Sequence, residues 1–177
     1  IGWIVISLID TCDVNVQNRA ISIKPLSVII GHSSTYELRN LLIMPELPEV
    51  ETVMRGLVPH LERTMIEDVV VRCSQLRWPI PRNLKNSLSH QKVETLSRRG
   101  KYLLIHVTTG TLIVHLGMSG SLRLLNQMTP PTSHDHMDLI FSNRIILRYN
   151  DPRRFGAILW TQENPLQHVL LTSMGIE

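Results

Sequence analysis

The sequence predicts a mainly β, α+β fold: a two-sheet antiparallel β-sandwich with one N-terminal helix packed on it. Two observations carry this. Residues from Glu49 show a helical period, with Val50, Val53, Met54, Leu57, Val58 and Leu61 at i, i+3, i+4, i+7, i+8 and i+11. Everything after Thr64 breaks into short β-rich runs separated by turn residues, the spacing of a sandwich or barrel.

Taking the elements in order, the helix carries Glu51 and Arg55 four apart on its polar face, a weakly supporting pair. Pro59 falls inside the pattern, so a kink or an end is expected near it. Strands are expected at Ile66–Val71, Lys92–Leu96, Tyr102–Val107, Thr111–Leu116, Ser121–Leu125, Met137–Phe141, Ile145–Tyr149 and Ala157–Trp160. Breakers separate several of them: Thr108-Thr109-Gly110, Gly117–Gly120, Met128–Ser133 and Ser142-Asn143. No internal repeat, coiled coil or low-complexity tract is visible.

Residues 1–43 are different material. The apolar opening Ile1–Ile9 stops at Asp10, is too short to span a bilayer, and lacks the basic flank and cleavage site of a secretory signal. Its apolar runs follow no period, and its charges cancel. The expectation is an extension without a core of its own, disordered or mistranslated, ahead of a domain covering residues 44–177.

Composition bounds the function. The 177 residues are 43% hydrophobic and 19% charged, values of a globular chain. The net charge of +3 and seven of the eight histidines lie beyond residue 43. A mildly basic domain permits a polyanionic partner without demanding one. Cys12 and Cys73 are far apart, with no ligand at metal spacing near either, so neither a disulfide framework nor a zinc site is indicated, and a reducing cytosol suits them.

Five stretches hold candidate chemistry, most with a bland alternative. Met44 is the first methionine. A chain starting there and trimmed would give Pro45 a free secondary amine beside the Glu46 carboxylate, and α-amino groups titrate near ~8. On spacing alone, Pro45 and Pro48 simply start a helix. Arg98-Arg99-Gly100-Lys101 reads by itself as a solvated strand edge. His115-Leu116-Gly117-Met118-Ser119-Gly120 reads as a hairpin turn, yet places the apolar Met118 at a loop tip. Asp151-Pro152-Arg153-Arg154-Phe155-Gly156 joins two arginines to an aromatic, a pairing that suits DNA, where cations fix phosphates and an apolar wedge fills space between bases. His134-Asp135-His136 has metal-like spacing without an evident third ligand; a phosphate contact or a core hydrogen bond is preferred for His134.

Together, Met44–Thr52, Arg98–Leu103, His115–Leu122, His134–His136 and Asp151–Gly156 resemble the bacterial formamidopyrimidine-DNA glycosylases, and the Glu-Leu-Pro-Glu-Val opening is closer to these than to the sister endonuclease VIII. The resemblance runs from Met44 to about Glu177. It implies DNA repair by a bifunctional glycosylase and AP lyase acting on double-stranded DNA with oxidised purines, 8-oxoguanine and formamidopyrimidines. Pro45 would attack the anomeric carbon of a flipped nucleotide, Glu46 would be the general acid, and Lys101 would support β-elimination and hold a phosphate. His134 and Arg153 would contact DNA, Met118, Arg153 and Phe155 would fill the gap left by the flipped base, and Glu49 would shape the pocket. A soluble cytoplasmic, nucleoid-associated monomer without a membrane partner is implied. The family's helix–two-turn–helix and zinc-finger portions are absent from these residues, so the structural zinc of full-length members is not expected here and no metal ligand is assigned. Pro45 lies inside the chain, and its amide nitrogen is no nucleophile. The alternative is therefore an inactive β-sandwich remnant with weak DNA binding.

Overall fold

The computed structural model describes residues 47–172. Ile1–Ile43, Pro45 and Glu46, and the readings placed on them, lie outside those residues. Helix α1 (Leu47–Leu61) follows the predicted stripe: Val50, Leu57 and Leu61 are buried, while Val53, Met54 and Val58 pack half-buried on the core. Glu51 accepts a hydrogen bond from Arg55 at 2.8 Å, and its second oxygen accepts one from Arg98 at 3.0 Å. Pro59 falls in the last turn, where little helix remains to be kinked. The buried Leu57 and Leu61 hold that turn, and the Glu62 amide still donates to the Val58 carbonyl at 3.1 Å.

The remaining elements are β1 (Met65–Val71), α2 (Leu84–Leu88), β2 (Gln91–Arg99), β3 (Tyr102–Val107), β4 (Gly110–His115), β5 (Ser121–Leu125), β6 (Asp135–Phe141), β7 (Ile146–Asn150), β8 (Ala157–Thr161), a 3₁₀ turn (Pro165–Gln167) and α3 (Val169–Thr172). All eight predicted strands form. The short helices α2 and α3 were not anticipated, because elements of five and four residues are too short to display a period.

Every pairing is antiparallel, in the order β5-β7-β6-β1-β2-β3-β4-β8. β1 and β2 share only Met65↔Lys92 and Ile66↔Gln91, so the sheet divides there into two four-stranded halves. The halves close on one another as a sandwich. Leu103, Ile105, Leu112 and Val114 of one half share a core with Leu122, Met137, Leu139 and Tyr149 of the other. The Tyr149 hydroxyl also donates across the layers to the His115 carbonyl at 3.3 Å. β3 and β4 are buried on both faces, which explains their unbroken apolar runs: Leu104 and Ile113 point away from the shared core and pack against Leu171 of α3.

The other half carries a buried ionic ladder instead. Asp138 and Arg148 are register partners on β6 and β7, joined by hydrogen bonds of 2.9 and 2.8 Å, and Arg72 adds a third at 2.5 Å. Burial opposes ionisation of Asp138, yet the Arg148 and Arg72 hydrogen bonds hold its carboxyl below the usual range. Arg148 also donates to the Thr129 carbonyl at 3.0 Å, and Asp135, bonded to Arg123 and Asn150, accepts the Thr132 amide at 2.7 Å. The proline-containing segment before β6 is thus fastened down at Thr129 and Thr132. No helix among the described residues is long and apolar enough to cross a membrane.

A candidate nucleic-acid interface at one end of the sandwich

The antiparallel register gathers the predicted stretches. β1, β2, β4 and β7 finish, and β3, β5, β6 and β8 start, at the same end of the sandwich. The Glu51–Arg98 bond brings the start of α1 to that end too. Lys101 sits half-buried in the β2–β3 turn, after Gly100 at φ 55°. Glu49 is half-buried in the first turn of α1. Met118, half-buried, occupies the loop from β4 to β5. Arg153 and Phe155 are exposed in the loop from β7 to β8, with the guanidinium 4.6 Å from the ring centroid. Pro45 and Glu46 lie outside the described residues.

The two histidines of the HxH stretch separate. His134 precedes β6 and is exposed, so the core hydrogen-bond alternative for it fails. That role belongs to His136, which is 2% exposed and bonds the Asp151 carbonyl through Nε2 at 2.8 Å. The strand begins one residue later than facing the two on one side requires.

Asp151 is the organising group that the sequence did not mark. It is fully buried, and its carboxylate accepts from the Ser119 hydroxyl at 2.6 Å, the Gly156 amide at 2.8 Å and the Tyr149 hydroxyl at 3.2 Å. Its backbone amide donates to the His134 carbonyl at 3.0 Å. One side chain therefore joins the Met118 loop to the Arg153–Phe155 loop, and its backbone reaches the HxH stretch. An Asp before a Pro signals a turn in sequence; nothing local announces a partner 32 residues away, Ser119. Burial and the Asp151 charge together push the Tyr149 phenol far up, so it remains a donor.

Gly117 shows how close the two loops are. Its φ is +62°, and a Cβ there would stand 2.6 Å from the Gly156 nitrogen and from the Phe155 carbonyl carbon. The loops touch backbone to backbone. His115 beside them is held below its ordinary pKa by burial, with the charges of Arg77 and Lys101 pushing the same way against Asp151. Its Nδ1 accepts the Gly117 amide at 3.2 Å, the contact of a neutral imidazole.

Arg77 is a second feature sequence reading passed over. It is exposed, lies 4.6 Å from the Trp78 ring, and its amide donates to the Gly156 carbonyl at 3.1 Å. The end of the sandwich therefore presents Arg77, His134, Arg153 and Arg154 to solvent around the aromatic Phe155 and the half-buried Met118. Cations around an apolar projection can bind phosphates and enter a base stack.

The chain matches the family described as formamidopyrimidine-DNA glycosylase N-terminal domain over residues 44–158. Among curated relatives, the formamidopyrimidine-DNA glycosylase of Nitrosococcus oceani is 58% identical over 134 residues, covering 76% of this chain and 49% of that protein. That of Stutzerimonas stutzeri is 57% identical over the same length and shares. The chain spans about half the length of these relatives. Among solved structures, the wild-type Lactococcus lactis protein with N7-benzyl-Fapy-dG-containing DNA is 34% identical, with a TM-score of 0.61 covering 66% of this chain and 44% of that one. The Lactococcus lactis glycosylase bound non-covalently to DNA with an AP site gives 0.58 at 34% identity, covering 66% and 45%. With that match across most of the folded residues, and with the two-half sandwich it shares with the Lactococcus lactis protein, the chain belongs to the formamidopyrimidine-DNA glycosylase N-terminal domain family.

Proposed function

We propose that the protein works in base-excision DNA repair as a bifunctional DNA glycosylase and AP lyase, removing oxidised purines, 8-oxoguanine and formamidopyrimidines, from double-stranded DNA. The observation that carries this is the convergence of Lys101, Met118, His134, Arg153 and Phe155 at one end of the sandwich, around the Asp151 carboxylate. The Lactococcus lactis relative was captured with DNA carrying an AP site, which supports the same partner class here.

The chemistry starts from a base that cannot be reached while stacked, so the nucleotide must be flipped out. Met118 and Phe155 fill the vacated space, and Arg153, steadied over the Phe155 ring, faces the orphaned base. The Pro45 amine attacks the anomeric carbon, loses its proton and displaces the base, leaving an aminal; opening of the sugar ring then turns this into an iminium that acts as an electron sink. Glu46 supplies the proton that opens the sugar ring. Lys101 holds the phosphate beside the lesion and supports β-elimination, and Glu49 shapes the pocket. The protein acts as a monomer in the cytoplasm, at the nucleoid. No three His, Cys, Asp or Glu side chains that could hold a metal ion come together among the described residues.

One sequence fact favours a second reading. Pro45 follows Met44 in a peptide bond, and with that bond intact the protein is an inactive sandwich that binds DNA weakly. Two chains separate the readings, one beginning at Ile1 and one at Pro45, each completed with the C-terminal half of the Nitrosococcus oceani relative. Borohydride should trap a covalent adduct with abasic DNA for the Pro45 chain only. Equal trapping by an intact Ile1 chain would make a side-chain amine, Lys101 first, the nucleophile and end the Pro45 assignment.

A further inference from the structure

We propose that Ser119 is a positioning residue that makes the Met118 loop and the Arg153–Phe155 loop one rigid unit, so that they enter DNA together and not as independent fingers. The proposal rests on the DNA-binding reading of this end of the sandwich. Its starting point is a hydroxyl used in both directions. Ser119 Oγ donates to Asp151 at 2.6 Å and accepts the Arg153 amide at 3.3 Å. Among the hydrogen bonds described, these are the side-chain contacts that run directly from the Met118 loop to the other loop.

The rest of the junction is already stiff. The Gly156 amide and the Tyr149 hydroxyl bind the second oxygen of Asp151, and the Arg154 amide closes a turn onto the Asp151 carbonyl at 3.3 Å. The Arg153 guanidinium lies 4.6 Å from the Phe155 ring centroid, so the cation and the aromatic of this loop sit side by side. On the other side, Gly117 leaves no room for even a Cβ between the backbones, and the Gly120 amide closes its turn onto the Leu116 carbonyl at 2.8 Å. Met118 lies between Gly117 and Ser119 and cannot advance without carrying the Arg153 amide along. A hydrogen bond to a buried carboxylate is among the stronger ones, so this link is suited to transmit displacement.

Hydrogen–deuterium exchange of the full chain tests the coupling without DNA. In Ser119→Ala, residues 116–120 and 151–156 should both exchange roughly ten-fold faster, the factor expected for losing one such bond, while β3 and β4 stay as protected as before. Ser119→Thr, which keeps the hydroxyl, should restore both segments. Faster exchange confined to 116–120, or no change in either segment, would overturn the proposal. A second arm measures affinity for a duplex with a tetrahydrofuran abasic analogue opposite cytosine. With Ser119 present, the combined Met118→Ala and Phe155→Ala loss should fall short of the product of the single losses. In the S119A background it should equal that product. If neither single change weakens binding, the DNA reading of this surface fails, and the exchange result still decides the coupling.

Discussion

His115 shows how one side chain can tie the loop geometry to acidity. Its Nδ1 accepts the Gly117 amide, so protonation would set a donor against a donor. Its pKa is lowered in the fold, first by burial and then by Arg77 and Lys101. The unfolded chain therefore takes the proton more readily, and stability falls as pH drops below the ordinary histidine value of ~6.5. His106, bonded to Ser97 and Thr111 at 2.7 and 3.0 Å, is lowered by burial and adds the same sign. The thermal midpoint should be lower at pH 5.5 than at pH 7.5, and His115→Gln should shrink that difference. An unchanged difference in the variant would remove His115 from this account. At this scale the sequence was informative about candidates but not partners. Met118, Arg153 and Phe155 could be named from residue type and Lys101 from the family resemblance, whereas Asp151 and Ser119 acquire their roles from contacts between loops that no local pattern encodes.

At the scale of elements, the β6–β7 pair is the part where sequence reading was correct in outline and silent on cause. Both strands were legible from their apolar residues. That Asp138 and Arg148 would face each other in register, both buried, was not, because it depends on pairing across a turn. Asp138→Ala would leave the Arg148 guanidinium buried without its main counter-charge and should cost about 3–5 kcal/mol. Urea denaturation measures it, and a loss below about 1 kcal/mol would show that the ladder is dispensable. Replacing both partners with apolar residues of similar volume should recover much of the loss, since the cost lies in the orphaned charge. The short helices are too short to show a period, while α1 was legible because its stripe persists over about three turns.

For the whole molecule, the two halves meet at two residue pairs along the sheet yet share a single core, and these facts make opposite demands. A thin β1–β2 junction would let the halves melt separately if each had its own interior. Because Leu103, Ile105 and Val114 are buried against Met137, Leu139 and Tyr149, they should unfold as one unit. Far-ultraviolet circular dichroism and Trp fluorescence should give superimposable transitions; two separated midpoints would show independent halves. The sandwich itself was readable from eight short runs, but the narrowness of the junction was not, since strand order is a property of long-range pairing.

That order has a kinetic consequence. β8, the last strand, pairs with β4, and Gly156 just ahead of it receives the Arg77 amide, nearly eighty residues earlier in the chain. The surface built from Arg77, Lys101, Met118, His134 and Arg153 thus has a high contact order, and loop closure must be completed before any of it is rewarded. During synthesis, β3 and β4 emerge with their apolar faces made and with neither β5, β6 and β7 of the opposing half nor β8 yet available to cover them. A ribosome paused before Gly156 would hold a chain with seven of its eight strands and without the Gly156 contacts to Arg77 and Asp151, at the stage when an uncovered β4 edge most invites pairing with another nascent chain.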